Sequence, residues 1–141
     1  MSYKFVEHPA DIAVEVEGHS LEELIKSACL AWREAAMDLT SFNKESSKKF
    51  IFNGNTPETV LIELLSELNF QLYSKKWVFV TIQNLIIEKT DTGYYLEIEL
   101  FGQTFHPEIH KMKEEIKAIT YHQMKIEKVG NQLKTLIVFD V

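Results

Sequence analysis

The sequence is poor in the residues that cross-link or interrupt a chain. Among 141 residues there are one cysteine, three prolines and five glycines. The lone cysteine, Cys29, excludes an internal disulfide, and its apolar neighbours indicate a core position in a helix rather than a reactive thiol. Glycine and proline are scattered and no repeat is evident, so we predict one domain over residues 1–141.

Long apolar runs are also absent. No stretch approaches the roughly 20 residues of a membrane helix, and the first four residues, Met1 to Lys4, lack the basic and apolar regions of a signal peptide. We therefore expect a cytoplasmic protein with no membrane partner. Apolar residues still make up 45% of the sequence and aromatic residues 11%, which suffices for a substantial core.

Positive charge is in short supply. The 15 lysines and arginines are outnumbered by 21 aspartates and glutamates, which gives a net charge of −6. Because Lys and Arg neutralise nucleic-acid phosphates, this charge balance argues against a domain that binds RNA by itself. We therefore expect any RNA contact to be mediated by a protein partner. No Gly-rich phosphate loop, nucleophile elbow or Cys-His pair supports an independent kinase, hydrolase or transferase.

What the sequence does contain is two helical patterns among β-rich segments. A capping box at Ser20 and Glu23 opens a helix expected to run to about Leu39, and Thr56-Pro57 opens a second helix that should end near Ser74. Alternating or β-rich runs predict strands, the two longest forming an antiparallel hairpin. They cover residues 11–17, 48–52, 77–88, 94–105, 121–129 and 132–140.

This order predicts an α+β fold in which two helices pack on a mixed, largely antiparallel β-sheet of five or more strands. The segment 132–140 is apolar on both faces. We therefore expect it to be a central strand of the sheet.

Two aspartates stand at the ends of predicted strands. Asp140 ends the expected central strand, where a carboxylate is costly unless it is paired, protonated or metal-bound, and Asp11 begins an earlier strand. If those strands are neighbours, the carboxylates meet at one sheet edge and a divalent cation would offset their repulsion. Oxygen ligands favour calcium, magnesium or manganese over zinc. Alternatively, neither aspartate binds a metal: Asp11 is an ordinary turn residue, and Asp140 is solvated near a frayed terminus.

Histidines and one lysine are the other candidates for chemistry. His8, His106, His110 and His122 lie near the same segments, and histidine is both a metal ligand and an acid or base near neutral pH. Zinc is disfavoured, because the spacing of His106 and His110 supports a helical pair only in part and no second cysteine is present. Lys117 would hold a phosphate or a partner carboxylate, or else extend its ammonium to solvent from the end of an element.

Three segments carry a resemblance to a known family. They are residues 115–122 (EIKAITYH), residues 7–12 (EHPADI) and residues 139–141 (FDV). Together they resemble the archease family over the whole chain, which implies a single archease-like domain. Pro9 departs from the threonine that is more usual in the family's opening motif, so the detailed shape of any metal site is less defined than its presence.

The resemblance implies an oxygen-ligand metal site. It assigns the side chains of Asp11 and Asp140 and the carbonyl of Val141 as ligands, and a terminal carboxylate on Val141 would add another oxygen. It also places a second group of residues around the metal or on the partner-binding surface. That group comprises His8, His110, Lys117 and His122.

The function implied by the resemblance is that of an accessory protein rather than an enzyme. Archeases activate the 3′-phosphate tRNA-splicing RNA ligase by promoting its guanylylation and multiple turnover, with RNA bound by the ligase. Two other classes stay open. One is a small chaperone or regulatory binding module that uses a sheet edge or aromatics such as Phe42, Phe70 and Tyr73. The other is a metal-dependent hydrolase built on Asp11, Asp140 and a histidine.

Overall fold

The computed structural model describes residues 1–8, 11–108, 110–121 and 124–141, so the predicted site residue His122 and the variant position Pro9 lie outside the described residues. The two helices are α1 (Leu21–Ala36) and α2 (Pro57–Lys75). The strands are β1 (Ser2–Val6), β2 (Asp11–Gly18), β3 (Met37–Asp38), β4 (Ser46–Gly54), β5 (Trp77–Lys89), β6 (Tyr94–Thr104), β7 (Lys111–Met112), β8 (Ala118–Thr120), β9 (Glu127–Val129) and β10 (Gln132–Asp140).

Both helices begin where the capping residues predict. The Ser20 hydroxyl accepts the Glu23 N–H at 3.2 Å, and the Thr56 hydroxyl accepts the Thr59 N–H at 3.1 Å. The first helix ends at Ala36, short of the predicted Leu39, because the next residues turn extended and form β3. Neither helix in the described ranges combines the length and apolarity needed to cross a membrane.

The strands form three sheets. One has the order β1-β2-β10-β8, with β9 also paired to β10; the second is β4-β6-β5, and the third is the short pair β3-β7. Every strand pair in the described parts of the chain is antiparallel. The α+β prediction, the β5-β6 hairpin and the central position of β10 are confirmed, whereas the expected mixed pairing in one sheet is replaced by antiparallel pairing in three.

The predicted strand over residues 121–129 is wrong. Of the described residues in this range only Glu127–Val129, in β9, are extended, and the Met124 N–H donates to the Tyr121 carbonyl at 3.1 Å. The Ile126 N–H then donates to the Glu58 carboxylate on α2 at 2.8 Å, so a helix side chain takes the place of a strand partner. β1 was not predicted at all, since it is a mostly exposed edge strand with little alternation.

The core lies between the helices and the sheets. α1 contacts β1, β2, β10 and β5, while α2 contacts β4, β5, β6 and β8, so the two helices join the five-stranded and three-stranded sheets. The Trp32 indole is fully buried and stacks on Phe79 with 6.3 Å between ring centroids. Cys29 is fully buried beside them, and burial raises the pKa of its thiol to about 12, which confirms it as a core residue.

We expect Gly102→Ala to lower the free energy of unfolding by about 1–3 kcal/mol, because the site has no room for a methyl group. Gly102 lies in β6 opposite Phe79. A Cβ placed there would collide with the Trp77 ring and come within 2.6 Å of the Val78 carbonyl oxygen. Urea unfolding of the purified variant measures the change.

The matched control is Gly130→Asn. Gly130 has a φ of +65° and nothing within 4 Å of an added Cβ, and asparagine tolerates this left-handed conformation. We expect its stability to stay within about 0.5 kcal/mol of the parent. A Gly102→Ala protein as stable as this control would contradict the tight packing of β6 against Trp77.

Candidate functional site

Asp11 and Asp140 face each other across β2 and β10. They are directly opposite in the antiparallel register. Directly opposed residues project from the same face of a sheet, with Cβ atoms typically about 4.5–5.5 Å apart. The structure therefore brings together the two carboxylates that the sequence suggested, at the end of both strands.

The two carboxylates differ in exposure. Asp11 is half-buried, whereas Asp140 is exposed although the strand that precedes it is buried. The sequence predicted a costly charge for Asp140 at the end of a buried strand. Because the side chain is solvated, that free-energy cost is lower. In the described residues no cluster of three or more His, Cys, Asp or Glu side chains is arranged to hold a metal ion. A cation held here would therefore need main-chain oxygens and water besides the two carboxylates.

His8 lies beside this carboxylate pair. Its Nδ1 is 3.5 Å from the Asp11 carboxylate oxygen, and the Asp11 N–H points to the His8 carbonyl at 3.5 Å. Both side chains are mostly covered, with 20% and 27% of their surface exposed. The imidazole is thus placed to orient the Asp11 carboxylate.

The main chain of Asp140 is held from the opposite side. The Lys117 N–H donates to the Asp140 carbonyl at 2.7 Å, and Ala118 pairs with Asp140 in the β8-β10 register. The Lys117 side chain is exposed at this point, and Val141 is half-buried against the core. The predicted site residues Asp11, Asp140, Val141, His8 and Lys117 therefore share one end of the five-stranded sheet.

A buried hydrogen-bond relay supports the Lys117 segment. The Trp32 indole N–H donates to the Asn69 side-chain oxygen at 2.9 Å, and the Asn69 amide donates to the Ile116 carbonyl at 2.8 Å. The Ile116 N–H donates in turn to the Tyr73 hydroxyl at 2.9 Å. Sequence reasoning missed Asn69, although an asparagine within the leucine stripe of α2 is the kind of buried polar residue that needs such partners.

Tyr73 is therefore not the exposed patch aromatic that we expected. Its side chain is half-buried, and burial raises the pKa of its hydroxyl above the ordinary value. Phe42 and Phe70 are exposed as expected, at 59% and 49%. Phe70 and Lys117 line the same groove of about 440 Å³ beside the relay.

His110 lies in a different setting from the carboxylates. It is buried, its Nδ1 accepts the His106 N–H at 3.3 Å, and its Nε2 is 3.0 Å from the Ser41 hydroxyl. The Nδ1 contact leaves the ring proton on Nε2, which donates to Ser41. Burial, reinforced by nearby His106, holds the pKa of His110 below its ordinary value. Its ring packs against Phe105, and these contacts make it a structural residue of the loop before β7.

The comparison with known protein families identifies a match over almost the whole chain. The model of the archease protein family matches residues 3–141. An archease of Pyrococcus abyssi is 35% identical over 127 residues, which span 90% of this chain and 89% of the relative. An archease of Methanosarcina mazei is 30% identical over 139 residues, which span 99% of this chain and 95% of the relative.

Solved structures give the same fold. The solution structure of protein 1598 from Methanobacterium thermoautotrophicum superposes with a TM-score of 0.82, covering 99% of this chain and 98% of that one, and its 24% identity supports the fold alone. The crystal structure of an "archease, possible chaperone" from Thermotoga maritima has a TM-score of 0.63 at 29% identity, with 98% and 96% of the two chains covered.

We expect Asn69→Leu to destabilise the protein by about 2–4 kcal/mol, because the buried Trp32 N–H and Ile116 carbonyl would lose their hydrogen-bond partner. Urea unfolding gives the free energy, and hydrogen exchange should show the Lys117 amide losing protection. Ser66→Ala, at an exposed position of the same helix, is the control and should stay within about 0.5 kcal/mol. Equal stability of the two variants would rule out the relay as a support.

We expect acidification to destabilise the fold partly through His110. Because the pKa of His110 is lower in the folded protein, the unfolded chain binds the proton more readily. The stability that His110 contributes is therefore present above its unfolded pKa and is lost as the pH falls through its folded pKa. His110→Gln should flatten the pH dependence of the unfolding free energy between about pH 7.5 and 5. His19→Gln, at an exposed histidine, should retain the parent profile. Identical slopes for both variants would exclude this role of His110.

Proposed function

This chain belongs to the archease protein family, and on that premise we propose that it activates the 3′-phosphate tRNA-splicing RNA ligase, promoting guanylylation and multiple turnover. The family names indicate an accessory protein rather than an enzyme. The observation that supports the proposal most directly is the facing pair Asp11 and Asp140 at one end of the sheet. The proposal places the protein in the cytoplasm and leaves RNA binding to the ligase.

The carboxylate pair fits a hard divalent cation. Asp11 and Asp140 offer oxygen ligands from neighbouring strands, and the Val141 carbonyl would supply a third. Calcium, magnesium or manganese suits such donors, and the bound ion would neutralise the pair and supply positive charge at the surface. The His8 Nδ1 lies 3.5 Å from the Asp11 carboxylate, and the Lys117 N–H holds the backbone that carries Asp140.

The surroundings of the pair are suited to a protein partner. Lys117 is exposed next to Asp140 and lines the groove that also contains Phe70 and Glu115. A point charge, a carboxylate and an apolar ring side by side offer contacts to a protein surface rather than to a run of phosphates. The net charge of −6 also favours a protein partner that itself binds the RNA, because a partner with a basic RNA channel would be attracted rather than repelled.

A second candidate is a small chaperone or regulatory protein-binding module. The observation that favours it is the pair of exposed rings Phe70 and Tyr121, which line one groove on α2 with Ile62 and Ile119. Because Glu63, Ser66 and Glu67 also line it, the groove suits an amphipathic segment with both apolar and polar side chains. The Thermotoga maritima relative is named as a possible chaperone. Aggregation suppression that persists in carboxylate variants but fails in Phe70→Ser would favour this module over the activator.

We expect Asp140→Asn to abolish cation binding, because it removes one of the two facing charges. Isothermal calorimetry with calcium, magnesium and manganese measures the affinity of the parent and the variant. Asp91→Asn is the matched control, since Asp91 is an exposed aspartate in the β5-β6 turn, and should bind like the parent. Unchanged binding by Asp140→Asn, or none by the parent, would remove the metal site from the proposal.

The same three proteins test activation of the ligase. Multiple-turnover ligation of a 3′-phosphate RNA is followed at limiting ligase, with the parent, Asp140→Asn or Asp91→Asn added. We expect stimulation by the parent and by Asp91→Asn, and at least tenfold less stimulation by Asp140→Asn. Stimulation by all three would separate activation from the carboxylates, and stimulation by none would favour the binding module.

A further inference from the structure

Arg33 lies in the last turn of α1 with its guanidinium close to two aromatic rings. Its central carbon is 4.8 Å from the Phe79 ring centroid and 5.6 Å from that of Phe42. Phe79 is buried, whereas Phe42 is exposed and covers the outer side of the guanidinium. Both rings lie within cation–π distance of the guanidinium, whose edges carry the hydrogen-bond donors.

One edge of the guanidinium is already occupied. The Arg33 Nη1 donates to the Phe79 carbonyl at 3.0 Å and to the Val80 carbonyl at 3.1 Å. The β5-β6 register shifts between Phe79 and Thr81, so Nη1 bonds carbonyls at an irregularity in the ladder. These bonds explain a donor at this position. They do not explain a positive charge, because a neutral donor would satisfy two carbonyls equally well.

The charge of Arg33 has no ion-pair partner in the described part of the chain. Among the described residues no carboxylate lies within ion-pair distance of it, and neither Nε nor Nη2 has an acceptor. The neighbouring acids are engaged elsewhere: Glu34 accepts the Tyr3 hydroxyl at 3.0 Å, and Asp38 is 3.4 Å from Lys113 Nζ. Burial lowers the pKa of Arg33 below its ordinary value, as expected for a partly desolvated cation.

A small cavity opens beside this unpaired edge. It has a volume of about 220 Å³ and is lined by Tyr3, Leu30, Arg33, Glu34, Met37, Asp38, Leu39 and Phe42. Ligand pockets usually span about 300–1,000 Å³, so this one is too small for a nucleotide or cofactor. Besides apolar side chains the lining contains the carboxylates of Glu34 and Asp38, which are engaged by Tyr3 and Lys113, so the Arg33 guanidinium is the group left to hold an anion on a short apolar stem.

We propose that this cavity binds one carboxylate group, which accepts hydrogen bonds from Nε and Nη2 of Arg33 beside the ring of Phe42. A planar carboxylate matches two parallel N–H donors. Phosphate fits less well, because its second charge would face Glu34 and Asp38 in the cavity lining. The carboxylate comes either from a free organic acid or from the end of a polypeptide, and both share this chemistry.

The site is independent of the carboxylate pair. It contains neither Asp11 nor Asp140. Glu34 lines both this cavity and the groove that reaches Asp11, and Lys113 of that groove pairs with Asp38. Carboxylate binding at Arg33 can therefore be tested and disproved separately from activation of the ligase.

Titration of the ¹⁵N-labelled full chain with sodium acetate, at ionic strength held constant with sodium chloride, tests the proposal. We expect saturable shifts of the Asp38 and Val80 amides with a dissociation constant on the order of millimolar. Arg33→Lys keeps the charge without the paired donors and should bind roughly tenfold more weakly. Phe42→Ala removes only the exposed outer ring and should weaken binding several-fold, which keeps a readout if changes at Arg33 impair folding.

The outcomes are distinct. The proposal is overturned if the shifts do not saturate, or if they saturate equally in the parent and Arg33→Lys. The choice of carboxylate is overturned if phosphate binds more tightly than acetate. Triglycine and its C-terminal amide separate the sources. Tighter binding of triglycine than of acetate, lost in the amide, supports a polypeptide end, whereas equal binding of triglycine and acetate supports a free acid.

Discussion

The antiparallel pairing of β2 with β10 is the interaction on which the rest of the molecule depends. It inserts the last strand between β2 and β8 and seats Ile137 and Phe139, both fully buried, in the core beneath α1. The same register sets Asp140 against Asp11. A slip of one residue would turn every side chain of β10 to the other face, so core packing fixes the relation between the two carboxylates.

The electrostatics of that pair follow from its position at the end of the sheet. Two unit charges about 4 Å apart repel by about 1 kcal/mol in water and about 4 kcal/mol at the effective dielectric of a protein surface. Exposure of Asp140 keeps the repulsion toward the lower figure, so the fold tolerates the pair without a cation. A divalent ion would reverse the sign of the interaction, and the pair would then stabilise the sheet.

Local patterns predicted the elements that depend on neighbouring residues. The caps at Ser20 and Thr56, the β5-β6 hairpin and the doubly apolar β10 were all evident in the sequence. Elements that depend on distant partners were not, because β1 and β8 are short strands defined by their pairing with β2 and β10. For the same reason the juxtaposition of Asp11 with Asp140 stayed conditional on strand order, and the Asn69 relay and the setting of Arg33 required three-dimensional contacts.

Because β10 follows β2 by more than 100 residues, its position in the chain also determines when the five-stranded sheet can form. A ribosome releases β2, both helices and the β5-β6 hairpin before β10, and the hairpin can pair locally while β2 lacks its inner neighbour. Val14 and Val16, fully buried in the finished protein, then belong to an incompletely paired strand that invites association with other chains. Because Asp11 meets Asp140 only when this gap closes, a ligand that requires both carboxylates would select chains that have finished folding.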